Sequence, residues 1–497
     1  MNPRARLRVL VGVVLTLAIV GPLGWMWWNS LLPASYSVMD MGYADYGGGP
    51  PPAKHDMAGM AGMEHAASGV SVSSLDTPKG GRPDVVVNLT ARQGKVTLAS
   101  GRTVEGYTIN GTSPGPVIRA TVGDLVEVHL RNDDVEGGIA LHWHGVDVPN
   151  AEDGVAGVTQ DAVKPGKDFT YRWVAPDVGT YWYHSHQMSQ DQVSGGLFGG
   201  IVINAVRPEA GVLDVLAVAH LYDGIQTING DTGDQHVAAK PGQRVRVRLV
   251  NTDNGAQVAW SSTPFEVAAV DGHDVNRPSQ VTRKGVEIPA GGRIDLDLVA
   301  PQDGSVARVE ILGGPGLVIG AEGADAPQLK QPGENVDLLS YGAPASTGID
   351  TRRFDRTFKY SIGRRPGFIN GKPGMWWSIN GHLYPDMPMM TVREGDIVRV
   401  TISNHSGKAH PMHIHGHHAI VLSRDKKAVT GSPWWFDSLE VRNGESFVIA
   451  FVADNRGIWM DHCHNLRHAR QGMVTHLMYE GVTTPYKLGS DSGNEPE

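Results

Sequence analysis

The chain has 497 residues with 52 Asp and Glu against 43 Lys and Arg, a formal net charge of −9. That balance excludes a broad phosphate-binding surface, because nucleic-acid affinity draws on Lys and Arg neutralising phosphates, and no nucleic-acid partner is expected. A single cysteine excludes an internal disulfide framework, and the length allows about three domains of ~100–200 residues.

The N-terminus is set apart from the rest. Arg4, Arg6 and Arg8 precede an uncharged run from Val9 to Trp28, close to the ~20 residues of a bilayer-spanning helix. This predicts an export signal over 1–30. Trp25, Trp27 and Trp28 suit a membrane interface and no A-x-A site comes after them, so retention as an anchor is expected, with cleavage and secretion as the alternative. Under the positive-inside rule the remainder lies outside the cytoplasm. Residues 31–81, rich in Gly, Pro, Ser, Ala and Met, lack the large apolar residues of a core and read as a tether. Within it HDMAGMAGMEH sets Met57, Met60 and Met63 between two histidines. Soft thioethers of this kind suit Cu(I), and a plain flexible linker is the other reading.

Beyond the tether, 63 Gly, 31 Pro and short Val, Ile, Leu and Thr runs broken by turn dipeptides predict a mostly β fold. One pattern recurs three times. YTINGTSPGPVIRATVGDLVEVHLRN ends at Asn132, TINGDTGDQHVAAKPGQRVRVRLVN at Asn251 and SINGHLYPDMPMMTVREGDIVRVTISN at Asn404. From the Asn of each Asn-Gly to the closing Asn the distances are 22, 22 and 24 residues. A β-domain is therefore triplicated, with expected boundaries at 82–205, 212–345 and 352–485 and a polar tail over 486–497. Alternation in 126–130, 244–250 and 397–402 fits strands with one buried face, which small β-sandwiches house.

The residues just after each repeat carry the chemistry. LHWHG (141–145) comes after the first and HPMHIHGHH (410–418) after the third, while no histidine comes directly after the second. GTYWYHSH (179–186) and GIWMDHCH (457–464) form a second matching pair, again without a middle counterpart. Residues i and i+2 of a strand share a face, so each His-x-His aims two imidazoles at one target. The four pairs are His142/His144, His184/His186, His413/His415 and His462/His464. Their duplicated positions predict a metal site shared between the first and third domains, and eight imidazoles can serve three ions. Copper, iron and zinc all suit such ligands. Cys463 faces away from His462 and His464, and with His410, His468 and Met473 offers two nitrogens, a thiolate and a thioether, the set favoured by blue copper.

Taken together, HWHG, HSH, HPMHIHG and HCHNLRHARQGM resemble a three-domain multicopper oxidase of the bacterial laccase and copper-resistance type, over about residues 82–485. The resemblance implies three cupredoxin-like Greek-key β-sandwiches and four copper ions. By motif position, type 1 copper would take His410, Cys463, His468 and Met473, and type 2 copper His142 and His413. One type 3 copper would take His144, His184 and His464, the other His186, His415 and His462. The implied reaction oxidises a small reducing substrate one electron at a time and reduces dioxygen to water. Proton delivery needs an acid, and NAEDG offers Asp153, with Glu152 as the alternative and a plain turn residue as the bland one. Many relatives carry a glutamate directly after the last histidine ligand, where this chain has Ala469, which puts a second carboxylate relay there in doubt. Phenols, aromatic amines and metal ions such as Cu(I) all remain open as reductants. A non-catalytic, extracytoplasmic copper-sequestering protein is the competing function, and a fold that has lost its metals is disfavoured by the complete ligand set.

Overall fold

The computed structural model describes residues 3–51, 69–77, 80–311, 314–324 and 326–497. Met57, Met60 and Met63 lie outside these. The helix Pro3–Asn29 is long and apolar enough to cross a membrane: at ~1.5 Å per residue it spans about 40 Å, beyond a ~30 Å hydrocarbon core. It is compatible with a signal or an anchor.

Nearly everything else is β, arranged as three cupredoxin-like sandwiches in which one pairing scheme recurs. In the first, Val85–Thr97 runs parallel to Leu125–Asn132, which pairs antiparallel with Asp168–Val174. In the second, Leu213–Tyr222, Arg244–Asn251 and Arg293–Val299 repeat this order, and in the third Arg356–Ile369, Ile397–Asn404 and Ser446–Val452 do so. The sequence repeat has a physical content here. Asn110-Gly111, Asn229-Gly230 and Asn380-Gly381 all have positive φ at both residues, as a two-residue type I′ loop requires. Each of these asparagines clamps a neighbouring strand through both side-chain atoms, Asn110 by accepting from the Thr90 N–H at 2.7 Å and donating to the Asn88 carbonyl at 2.8 Å. The closing residues Asn132, Asn251 and Asn404 are buried, and each donates its amide to loop carbonyls, such as those of Val135 and Val163 for Asn132. The motif therefore satisfies backbone groups that the loops would otherwise bury unpaired.

Two stretches outside the sandwiches are more ordered than their composition predicts. Within 31–81, Tyr43–Asp45 adds a parallel strand beside Pro388–Val392, and Val38, Met41 and Val72 are buried in the third sandwich's core. The tether reading thus fails for these parts, since three well-placed apolar side chains suffice to dock a segment on a core already built. In the polar stretch 486–497, Leu488 is buried and exchanges backbone hydrogen bonds with Tyr36, while Asn494 is buried against Asp161 and Ala162.

Candidate metal centre

Two antiparallel strand pairs carry the histidines. Leu141–His144 faces Gly179–Ser185 with His142 opposite His184. In the third sandwich His410–Ile414 faces Ile458–Cys463 with His413 opposite His462 and Met412 opposite Cys463. Because alternate residues point to opposite faces, this sheet presents His413 and His462 on one side, Cys463 and His410 on the other.

On the second side, the Cys463 Sγ lies 3.6 Å from His410 Nδ1 and 3.7 Å from His468 Nδ1, and the two nitrogens are 3.1 Å apart. Donors bonded at ~2.0–2.3 Å around one first-row ion would stand about 3.3–3.8 Å apart; the two sulfur–nitrogen edges match this and the nitrogen–nitrogen edge is slightly short of it. The short helix Leu466–Arg470 brings His468 back beside the strand. Fully buried Met473 comes next, its carbonyl accepting from the Cys463 N–H at 3.1 Å. Burial pushes the Cys463 thiol well above its ordinary pKa. A cation between the three donors reverses that preference, since a coordinating thiol loses its proton.

On the first side the eight imidazoles from two sandwiches converge. His144, His184 and His464 form one group, His186, His415 and His462 another, and His142 and His413 meet beside His144. His462 Nε2 stands 3.4 Å from His186 Nε2 and 3.3 Å from His415 Nε2, and the Nε2 atoms of His142 and His413 are 3.4 Å apart. Among the described residues, His144 Nδ1, His184 Nε2 and both nitrogens of His464 are buried without a hydrogen-bond partner. Leaving such a group unsatisfied costs about 1–3 kcal/mol each, and an ion between them removes that cost. Burial, then the neighbouring imidazoles, hold His144, His184, His186, His413, His415 and His464 well below the ordinary histidine pKa. Neutral imidazole is the ligating form, so these donors fit a resident metal.

Several of the other ring nitrogens are held from outside, as is usual for metal-bound histidines. Asp153 is buried, and its carboxylate accepts from His142 Nδ1 at 3.0 Å and from His415 Nδ1 at 3.2 Å. Glu152 turns away, accepting from the Arg172 N–H at 2.8 Å. His413 Nδ1 donates to the Asp437 carbonyl at 2.9 Å, His184 Nδ1 to the Ser185 carbonyl at 3.0 Å, and His410 Nε2 meets the Ser406 hydroxyl at 2.7 Å.

Two family profiles described as multicopper oxidase match residues 90–208 and 357–481. They span the two histidine-bearing sandwiches. The multicopper oxidase MmcO of Mycobacterium tuberculosis is 29% identical over 86% of this chain and 92% of its own. Laccase-1 of Botryotinia fuckeliana is 28% identical over 73% of this chain and 77% of its own. The crystal structure of a multi-copper oxidase from Pseudomonas thermotolerans superposes with a TM-score of 0.65 at 26% identity, covering 80% of this chain and 100% of that one. The chain belongs to the multicopper oxidase family. It is a copper oxidoreductase with four coppers, dioxygen as acceptor and a small reducing substrate.

Residues that are not ligands by motif position also surround the centre. Asp437 is fully buried and accepts from both terminal guanidinium nitrogens of Arg293, from the middle sandwich, at 2.5 Å. The same carboxylate accepts from His144 Nε2 at 3.1 Å. Asp271, also from the middle sandwich, accepts from the Asp437 and Ser438 N–H groups at 3.2 and 3.1 Å. His418 completes the group between Asp147 at 3.1 Å and Asp437 at 3.3 Å. Burial opposes its charge, but the two carboxylates outweigh burial and push its pKa up to about 10. Burial likewise opposes the Asp437 charge, and Arg293 and His418 still hold its carboxyl below the ordinary range. His417 is buried too, bridging the His415 carbonyl and the Tyr479 hydroxyl. The glycine of HWHG has a concrete reason: Gly145 sits at φ +84°, and a side chain there would strike Arg293 and Asp437. Gly291 of the middle sandwich, at φ +79°, lies where a Cβ would come within 2.7 Å of His144 and 2.9 Å of His464. Among the described residues the middle sandwich supplies no imidazole to the metal-donor groups, yet it walls and charges them.

Proposed function

We propose that this oxidase draws electrons from an aromatic reductant at a type 1 copper held by His410, Cys463, His468 and Met473 and passes them to a trinuclear cluster. The cluster ligands would be His142 and His413 for type 2, His144, His184 and His464 for one type 3 ion, and His186, His415 and His462 for the other. The observation that carries the reading is the two-faced strand Ile458–Cys463, which puts the thiol in one donor group and its chain neighbours His462 and His464 in the other. A copper store has no use for that covalent link. When bound, the four coppers supply storage for the four electrons that reduce dioxygen to water.

The chain's own groups then have separable tasks. His468 is only part-buried while His410 and Cys463 are buried, so its ring edge is where a reductant makes contact. Trp377 packs 4.4 Å from the His468 ring, and Arg364 stacks over Trp377 at 4.6 Å. Burial lowers the His468 pKa to about 4, and the Arg364 and Lys408 charges lower it in the same direction. A positive rim beside an indole face favours neutral or anionic aromatics over cations, which supports phenols ahead of Cu(I). Oxygen uptake by the copper-loaded enzyme with a phenol and with Cu(I), each at low and high salt, tests this. The expected result is faster turnover of the phenol. Preference for Cu(I) would overturn the substrate class and direct attention to Met57, Met60 and Met63.

Asp153 acts through two imidazoles. Burial raises its carboxyl above the ordinary value against the opposing pull of His142, which suits a group that holds a proton at the cluster. Replacing Asp153 by Asn is expected to leave the type 1 spectrum and its reduction intact while slowing reoxidation by dioxygen about 10²-fold. Stopped-flow reoxidation at saturating copper reads this, and a wild-type rate would return Asp153 to a turn residue.

A further inference from the structure

We propose that Glu497 is a positioning residue for His462; this rests on the ligand assignment above. The Glu497 side chain is 8% exposed, and its Oε1 lies 2.9 Å from His462 Nδ1, off the line of an ideal N–H bond, and 3.9 Å from His186 Nε2. Its Oε2 accepts from the Ser189 hydroxyl at 2.6 Å. His462 turns Nε2 towards His186 and His415, so the proton belongs on Nδ1, the atom Glu497 faces. A carboxylate at that atom favours this tautomer and makes Nε2 a better donor.

The approach of Glu497 is built from both ends of a ligand loop. Gln187, next to His186, donates its amide to the Gly493 carbonyl at 2.9 Å and accepts from the Glu495 N–H at 2.9 Å. Met188 donates its N–H to the Glu495 carbonyl at 2.5 Å, and Asn494 is tied to Ala162 and Asp161. The segment is therefore fastened to the residues that carry one type 3 ligand. Behind it lies a cavity of about 580 Å³ lined by Tyr36, Tyr384, Met460, His476 and Glu497. His476 is 1% exposed, and among the described residues neither of its nitrogens has a partner, so the cavity wall carries an unpaired polar side chain.

The test uses the full chain reconstituted with copper, comparing Glu497→Ala, the isosteric Glu497→Gln and the parent. Readouts are copper per chain, the chelator concentration that removes it, the blue type 1 absorption and the electron paramagnetic resonance signal. The alanine variant is expected to release type 3 copper at a chelator concentration about 10–100-fold lower, with new paramagnetic copper from the broken pair and an unchanged blue band. Glu497→Gln, which keeps an acceptor but loses the charge, should fall between. Parent-like chelator resistance and coupling in the alanine variant would overturn the proposal, as would loss of type 1 and type 3 copper together, the mark of a merely structural role. A parent without a coupled pair would instead refute the ligand assignment.

Discussion

Cys463→Ser is expected to abolish the blue thiolate-to-copper absorption and reduce substrate oxidation to background while the imidazole-bound coppers remain. A serine hydroxyl does not ionise in a site where burial already drives the more acidic thiol up, and it is a poor ligand for a blue copper centre. The substitution is otherwise mild, because Cys463 lies wholly buried beside the imidazoles of His410 and His468, which can share a hydrogen bond with the hydroxyl. The loss should therefore be one copper in four, read by metal analysis alongside the visible spectrum. A variant that stays blue would remove Cys463 from the type 1 site.

Arg293→Met is expected to destabilise the copper-free protein by about 3–5 kcal/mol, the usual cost of stripping one partner from a buried ion pair. Asp437 would keep His418 as its charge partner while still holding His144 and, through its carbonyl, His413. The damage should therefore extend to the metal, with the copper between His142 and His413 lost first. Denaturation midpoints with and without copper, together with copper counts, measure both effects. Unchanged midpoints and full copper would reduce the bridge from the middle sandwich to packing.

Cys463 and Arg293 differ in how far the sequence displays them. His142/His144, His184/His186, His413/His415 and His462/His464 are legible because strand geometry converts a spacing of two into a shared face, and Cys463 because its odd position puts it on the other one. The three Asn-Gly turns are legible because positive φ at two successive residues restricts composition so strongly. Arg293 and Asp271 are not. Arg293 opens a strand, RIDLDLV, whose charged positions read as a solvent face by alternation, yet Arg293 and Asp295 are buried because a second sandwich covers them. Asp437 comes after WWF in a stretch with no ligand spacing, and its role depends on a partner 144 residues away. Glu497 is further still from any motif, and Val38, Met41 and Val72 dock singly where no run of apolar residues announces a core.

The central claim is that one chain holds four coppers, one on one face of the strand Ile458–Cys463 and three between its other face and the histidines of the first sandwich. Metal analysis combined with integrated electron paramagnetic resonance on the reconstituted protein tests it most directly. Four coppers per chain, two of them paramagnetic and two silent through coupling, is the predicted result, with the two visible signals separable into a blue centre lost in Cys463→Ser and a second centre retained. A protein saturated at one or two coppers, or one whose coppers are all paramagnetic, would contradict it.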